Sequence, residues 1–366
     1  MKNDSRPSFE GDARGCLCAA RERFSCPYRM VDRRESPVST YGHSSGTLWR
    51  TAALFFLLTF ASTTYVGQIY SRGSILGGLM FSVPLMTILL CHELGHYLQT
   101  RRYGVFSTPP YFIPLPVPPF GTFGAVIQMD VRIPNRRCLF DIGISGPLAG
   151  LIVIFPFLVV GLCLSRCVCV EDAPREVFQF GEPLVLRWLS SLILDRPAGG
   201  GVLILHPIAT AAWTGLFITT LNLFPLSQLD GGHVFYALIG RAARRWMFLI
   251  YAAIVVVVIV FEQWQWIVML LLLCWIGIAH PPTSDDSCRL GWIRMVLGWL
   301  VLAFILIGFT PSPISEPLSE PLNLPPMLSH EEPPEGFPLD VYFRSHWSST
   351  PWSDTIPGDT ILWDTI

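Results

Sequence analysis

From Ser74 to Thr100 the chain runs through an almost unbroken apolar stretch, long enough to cross roughly 30 Å of hydrocarbon. Near its end stand five residues, His92-Glu93-Leu94-Gly95-His96. The surroundings read as helix, so His92 and His96, four residues apart, share one face. Two imidazoles so placed can bind one zinc ion, with Glu93 beside them where a carboxylate can deprotonate a water. On a soluble helix the same residues would be ordinary surface polars. In a segment apolar enough for a bilayer, an ionisable residue is costly and points to function.

The rest of the composition agrees with a membrane setting. Of 366 residues, 51% are hydrophobic and 14% charged, and the mean hydropathy is +0.47, which points to a multi-span membrane protein. A net charge of −2 gives no case for nucleic-acid binding. Lys2 is the one lysine among the basic residues, which suggests a GC-rich genome. Cys16-x-Cys18 with Cys26, and Cys167-x-Cys169, lack a full ligand set at structural-zinc spacing.

Residues 1–47 are polar and read as a disordered, cytoplasmic tail. Met30 is an alternative start, and no cleaved signal peptide is expected. Seven spans are expected, at about Thr51–Gly67, Ser74–Thr100, Cys138–Leu164, Val202–Leu226, Trp246–Phe261, Trp264–Ile278 and Leu290–Thr310. Between the second and third, six prolines from Pro109 to Pro119 exclude helix. Phe120-Gly121-Thr122-Phe123-Gly124 then turns into a short strand, Ala125–Met129. Gly143, Gly146 and Gly150 make a narrow face on the third span for close helix contact. Residues 165–201 form a polar connection holding one interfacial helix, Pro183–Leu194. From Pro311 onward the chain is rich in Pro, Ser and acids and reads as an extended, solvated tail.

Arginines set the orientation. Arg50, Arg101, Arg102, Arg132, Arg136, Arg137, Arg241, Arg244, Arg245 and Arg289 all fall on one side if the spans alternate, and that side is expected to be cytoplasmic. A catalytic zinc site takes three protein ligands and one open position. Position 102, where a soluble zincin of one type would carry its third His, is Arg102, and the first acid after Glu93 is Asp130. Asp230, in Gln228-Leu229-Asp230-Gly231-Gly232-His233, is the better candidate. Two crossings after His96 return it to the same side and a similar depth. The competing role for Asp230 is a turn, since Asp-Gly is a strong turn signal.

His92-Glu93-Leu94-Gly95-His96 together with Asn222-x-x-Pro225-x-x-x-x-Asp230-Gly231 resembles the paired signature of the site-2 protease family of intramembrane metalloproteases. Gly121-x-x-Gly124 and Ser145-Gly146-Pro147-Leu148-Ala149-Gly150 also resemble segments of that family, in the branch without a PDZ insert. The likeness runs from about Val83 to Gly240. It implies Zn2+ held by His92, His96 and Asp230, Glu93 as general base, and Asn222 as a polar helper near the scissile carbonyl. It also implies a membrane-associated strand at about Gly124–Met129 that holds the substrate, with Gly121 and Gly124 as further substrate-positioning residues.

The expectation is therefore an all-α, polytopic helical bundle of about seven spans with a short membrane-associated β or irregular segment. Residues 48–310 form the metalloprotease domain, with its core at 74–240, and 311–366 the tail. The expected activity is zinc endopeptidase cleavage in or near transmembrane segments of single-span or other membrane proteins. Expected partners are those substrates and the lipid bilayer, with an upstream protease acting in series as an option. The expected location is multi-pass in a bacterial inner membrane. Two rivals are a metal or ion transporter using the same ligands and a catalytically silent scaffold.

Overall fold

The computed structural model of the chain describes residues 45–130, 133–168, 179–194 and 202–315. Expectations for the N-terminal tail before residue 45, for parts of the 165–201 connection and for the tail beyond 315 lie outside the described residues. So do Cys16, Cys18, Cys26, Cys169 and Arg132.

Two long helices come first, α1 (Ser45–Tyr70) and α2 (Ile75–Tyr103). Ser74 caps α2, its side chain accepting from the Gly77 amide, and Gly104 ends it in the left-handed conformation at φ 68°. Strands β1 (Tyr111–Pro114) and β2 (Thr122–Val126) then pair antiparallel, Tyr111 opposite Val126 and Phe112 opposite Ala125. The strand thus starts earlier and ends sooner than Ala125–Met129. Pro109 and Pro110 stand opposite its far end and have no N–H to give the ladder. Beyond them only an isolated bridge, Ser107 with Met129, resumes the pairing.

Helix α3 (Arg136–Cys163) starts at Asn135, whose side chain accepts from the Cys138 amide at 3.0 Å. Strand β3 (Arg166–Val168) follows, then β4 (Gln179–Phe180), helix α4 (Leu184–Ile193) and β5 (Val202–Ile204), which pairs with β3. Next come α5 (Pro207–Asn222), α6 (Asp230–Ile239), α7 (Ala243–Val260), α8 (Ile267–Ile276), α9 (Trp292–Ala303) and α10 (Ile305–Gly308). Strand β6 (Ile314–Ser315) closes the described chain by pairing with β4.

The molecule is mostly helical, and four runs are long and apolar enough to cross a membrane: Gly46–Tyr70, Ile75–Tyr103, Arg136–Cys163 and Asp230–Val260. Three of the seven expected spans have a different form. Val202–Leu226 is divided into β5 and a 16-residue α5, which at about 1.5 Å per residue is about 24 Å long. Pro207 fixes where that helix starts, and the Asn222–Pro225 break ends it. Trp264–Ile276 and Trp292–Gly308 are shorter apolar helices. The expected fifth span, Trp246–Phe261, is the later part of the Asp230–Val260 run, which is interrupted by a 3₁₀ turn at Gly240–Ala242.

Helix α3 lies at the centre, packed on α2, α5 and α6. Leu139 and Ile142 meet Val234 and Leu238 in one buried apolar cluster, and Ile154 and Leu158 meet Ile88, Trp213 and Leu216 in another. A third cluster joins α1, α2 and β1 through Val66, Phe81 and Phe112. Arginines tie the ends of α3 and α6. Arg136 donates to the carbonyls of Ala237 and Leu238, which the end of α6 leaves without helical partners. Arg137 donates to the Arg289 carbonyl, and Arg294 makes a two-pronged bond to Asp141.

Candidate metal centre

One helical turn separates His92 from His96 on α2, and both rings are buried against α3. Helix α3 yields to them through glycine. A Cβ on Gly146 would lie 2.0 Å from His96 Nε2, so any larger residue there occupies the ring's own position. Gly95 of α2 in turn sits against the Ser145 carbonyl, where a Cβ would be 2.5 Å from the oxygen. On the small-residue face expected on α3, Gly146 and Gly150 are therefore contact points for the two histidines, and Gly143 is one for α6, where a Cβ would be 2.8 Å from His233 Cβ. Gly146→Ala is expected to lower zinc affinity by at least about tenfold while the protein stays in the membrane, checked by metal analysis of the purified variant.

The His96 ring is held from behind. Its Nδ1–H donates to the Ile142 carbonyl at 2.8 Å, since a carbonyl can only accept. Pro147 crowds the neighbouring turn of α3, and Ser145 donates to the same Ile142 oxygen. With Nδ1 protonated, a neutral His96 presents the lone pair of Nε2 to the site.

Asp230 arrives from a different part of the chain. After α5 ends at Asn222 the backbone turns through 223–229, and α6 begins at Asp230 itself. The first turn of α6 folds back so tightly that a Cβ on Gly231 would lie 1.7 Å from the Leu223 carbonyl oxygen. Glycine is required there, and it puts the Asp230 carboxylate on the histidines. Oδ2 is 3.1 Å from His92 Nε2 and Oδ1 is 3.2 Å from His96 Nε2, while the two Nε2 atoms are 3.3 Å apart. Three atoms of a zinc tetrahedron with bonds of about 2.0–2.1 Å would be about 3.3 Å apart. The spacing and the N, N, O donor set both fit zinc. Among the described residues this is the one group of three or more His, Cys, Asp or Glu side chains so placed.

A cavity of about 160 Å³ opens beside this trio, lined also by Glu93, Asn222 and Ile127. A smaller one of about 50 Å³ adjoins it, lined by His92, Glu93, Asn222, Gly124 and Ala125. The structure thus brings together His92, Glu93, His96, Asn222, Asp230 and Gly124. Gly121 is elsewhere. It has φ +72°, packs on α1 where a Cβ would be 2.8 Å from Thr63 Cα, and accepts a hydrogen bond from Ser62 at 2.7 Å.

Backbone polarity along the cavity wall is readable. The amides of Gln128 and Asp130 face residues 106–108, through Gln128 to Thr108 Oγ1 at 3.1 Å and Asp130 to the Phe106 carbonyl at 3.0 Å. Alternation along an extended chain then aims the amide groups of Ile127 and Met129 the other way.

A histidine pair that reaches the larger cavity carries no signal in its sequence context. His233, one turn into α6, lines the larger cavity, and its Nδ1 is 2.7 Å from Nε2 of His280. The His280 Nδ1–H donates to the Pro281 carbonyl, so His280 Nε2 accepts from His233 Nδ1–H. His233 is left with Nε2 as an acceptor. Burial pushes His280 down to about 4, which keeps it neutral near pH 7. Asp286 anchors the same loop. Although burial pushes its carboxyl up, hydrogen bonds from Thr283, Arg241 and Tyr236 hold it below the usual carboxylate range. His280 is 47 residues beyond His233, and only the folded chain joins them.

Comparison with known proteins reaches the same region. The profile of Peptidase family M50 matches residues 80–263, a segment that contains all the residues around both cavities. "Probable zinc metalloprotease EGY1, chloroplastic" of Oryza sativa subsp. japonica is 34% identical over 164 residues, 43% of this chain and 28% of that protein. Its namesake in Arabidopsis thaliana is 29% identical over 257 residues, 67% of this chain and 45% of that protein. "Probable zinc metalloprotease EGY2, chloroplastic" of Oryza sativa subsp. indica is 28% identical over 242 residues, 64% and 43% of the two chains. The matches thus span less than half the length of these relatives. All three are plant proteins named as chloroplastic, and they lend no support to the bacterial inner membrane expected from the sequence.

Proposed function

The chain belongs to Peptidase family M50, and from that premise we propose that it is a zinc endopeptidase that cuts membrane proteins within or near their transmembrane segments. The observation that carries the reading is the convergence of His92, His96 and Asp230, with Glu93 and Asn222 on the same cavity wall. Both histidines lie on a helix long and apolar enough to span a bilayer. We place the arginine-bearing side, with the N-terminus, in the cytoplasm.

His92, His96 and Asp230 are the residues that would hold zinc. When bound, zinc supplies a Lewis acid that lowers the pKa of a water from about 16 to about 7 and polarises a carbonyl. Glu93 takes the proton of the attacking water and later gives it to the leaving amine. Asn222 donates to the scissile carbonyl oxygen as negative charge develops on it.

A substrate helix hides its carbonyls in its own hydrogen bonds and must be locally unwound before attack. The cavity-facing amide groups of Ile127 and Met129 offer the freed backbone replacement partners, as an added strand would. Ile127→Pro is expected to lower cleavage by up to about tenfold, the worth of one backbone hydrogen bond, with Ile127→Val nearly silent. Equal losses would assign Ile127 to packing.

The reading is tested with the purified full chain in lipid nanodiscs, presented with a library of single-span peptides. Cleavage that stops on chelation and returns with zinc supports it. Zinc transport into sealed vesicles without any cleavage would overturn it.

A further inference from the structure

The two histidines differ behind the site. His96 has its Nδ1–H satisfied by the Ile142 carbonyl. Among the described residues the hydrogen bonds of His92 are made through Nε2 alone. A histidine that holds a metal almost always donates its second ring N–H to a fixed acceptor, which sets the tautomer and the ring orientation.

One side chain near His92 has an acceptor to spare. Thr219, on α5, is 1% exposed, and its hydroxyl has no hydrogen-bond partner among the described residues. Thr214 on the same helix satisfies its hydroxyl by donating to the Thr210 carbonyl at 2.9 Å. Thr219 makes no such bond, although a helical threonine readily can. The unused hydroxyl and His92 Nδ1 flank the same glycine of α3. A Cβ on Gly150 would lie 3.1 Å from His92 Nδ1 and 3.5 Å from Thr219 Oγ1. Gly150 thus leaves a notch with an unused donor on one side and a buried unused acceptor on the other.

We infer that Thr219 is the positioning residue of His92. Its hydroxyl accepts from a water that in turn takes the His92 Nδ1–H across the Gly150 notch, and so aims Nε2 at Asp230 and His96. The inference rests on the zinc reading above and adds the partner that His92 needs for it. It also accounts for a buried hydroxyl that would otherwise cost free energy without return.

Zinc affinity, measured by chelator competition on the purified full chain in nanodiscs, is the readout. Thr219→Val, which removes the acceptor, is expected to weaken binding by about 10–100-fold. Thr219→Ser keeps the hydroxyl and should restore affinity close to the unmodified chain. Thr220→Val is the control, because that hydroxyl is also buried and unpartnered but faces Gly308, and it should leave affinity unchanged.

A hydroxyl with no role predicts the opposite for Thr219→Val: unchanged zinc affinity and equal or higher thermal stability. That result overturns the inference, as does Thr219→Ser binding as weakly as Thr219→Val. If Thr219→Val does not accumulate, Thr219→Ala carries the same comparison. His92→Ala separates the two levels. If it binds zinc normally, the zinc reading itself fails. If it loses zinc while Thr219→Val does not, only the role of Thr219 fails.

Discussion

Glu93→Gln is expected to leave the chain folded and loaded with zinc while lowering cleavage by about two orders of magnitude or more. Glu93 is buried on α2, next in sequence to His92, and lines both cavities beside Asn222. It is not part of the group of three ligand atoms formed by His92, His96 and Asp230. Glutamine keeps the size and a hydrogen-bonding end but cannot carry a proton from the water to the leaving amine. Zinc content and turnover, measured on one preparation, decide the matter. Loss of zinc would make Glu93 a ligand, and retained turnover would remove it from the chemistry.

Asp230→Asn and Asn222→Ala should separate in the same pair of measurements. The Asp230 carboxylate touches both imidazoles, each of its oxygens on a different ring. On the proposed function its charge would offset that of the cation in a buried site, so the neutral amide should lose zinc affinity and turnover together. Asn222 lines the cavity but lies outside the trio. Its loss should lower cleavage by roughly ten- to a thousandfold, as loss of a carbonyl-stabilising donor does, with zinc content unchanged. Reversed zinc contents would mean that the two roles are exchanged.

The parts of this site that can be read from sequence are those fixed by local geometry. A separation of four residues between His92 and His96 on a helix suffices to stack two rings, and no tertiary information is needed. Pairing them with Asp230 rested on a resemblance and on counting crossings. The structure makes that contact, but α5 is too short for the expected Val202–Leu226 span, and Asp230 is delivered by the Gly231 turn at the head of a new helix. Membership of the peptidase family was likewise legible, from short motifs that the family profile also covers.

What was not legible depends on partners far away in the chain. Pro109 and Pro110 set where β2 ends by facing it, so the strand could not be bounded from residues 122–129 alone. Gly121 and Gly124 look alike in sequence, yet one packs on α1 and the other lines a cavity. Thr219 is one of several threonines on an apolar helix, and only the packing of three helices singles it out. His280 lies past the family-matched segment and meets His233 through a loop that also reaches back to the start of α3, where Ser284 donates to the Ile133 carbonyl at 3.0 Å.

His92 and Asp230 are 138 residues apart, which bears on when a newly made chain becomes dangerous to its surroundings. A nascent chain that has inserted α1, α2 and α3 already carries two imidazoles and the base, but not the carboxylate that completes the trio. Metal affinity is tied to the completion of the bundle, because a site assembled from distant segments does not exist before they meet. If the chain has the proposed function, fragments that end before α6 lack the Asp230 carboxylate and are expected to be inert towards neighbouring membrane proteins. Peptidase activity on the proposed function is a property of the finished assembly, reached only when the segment that carries Asp230 has been made.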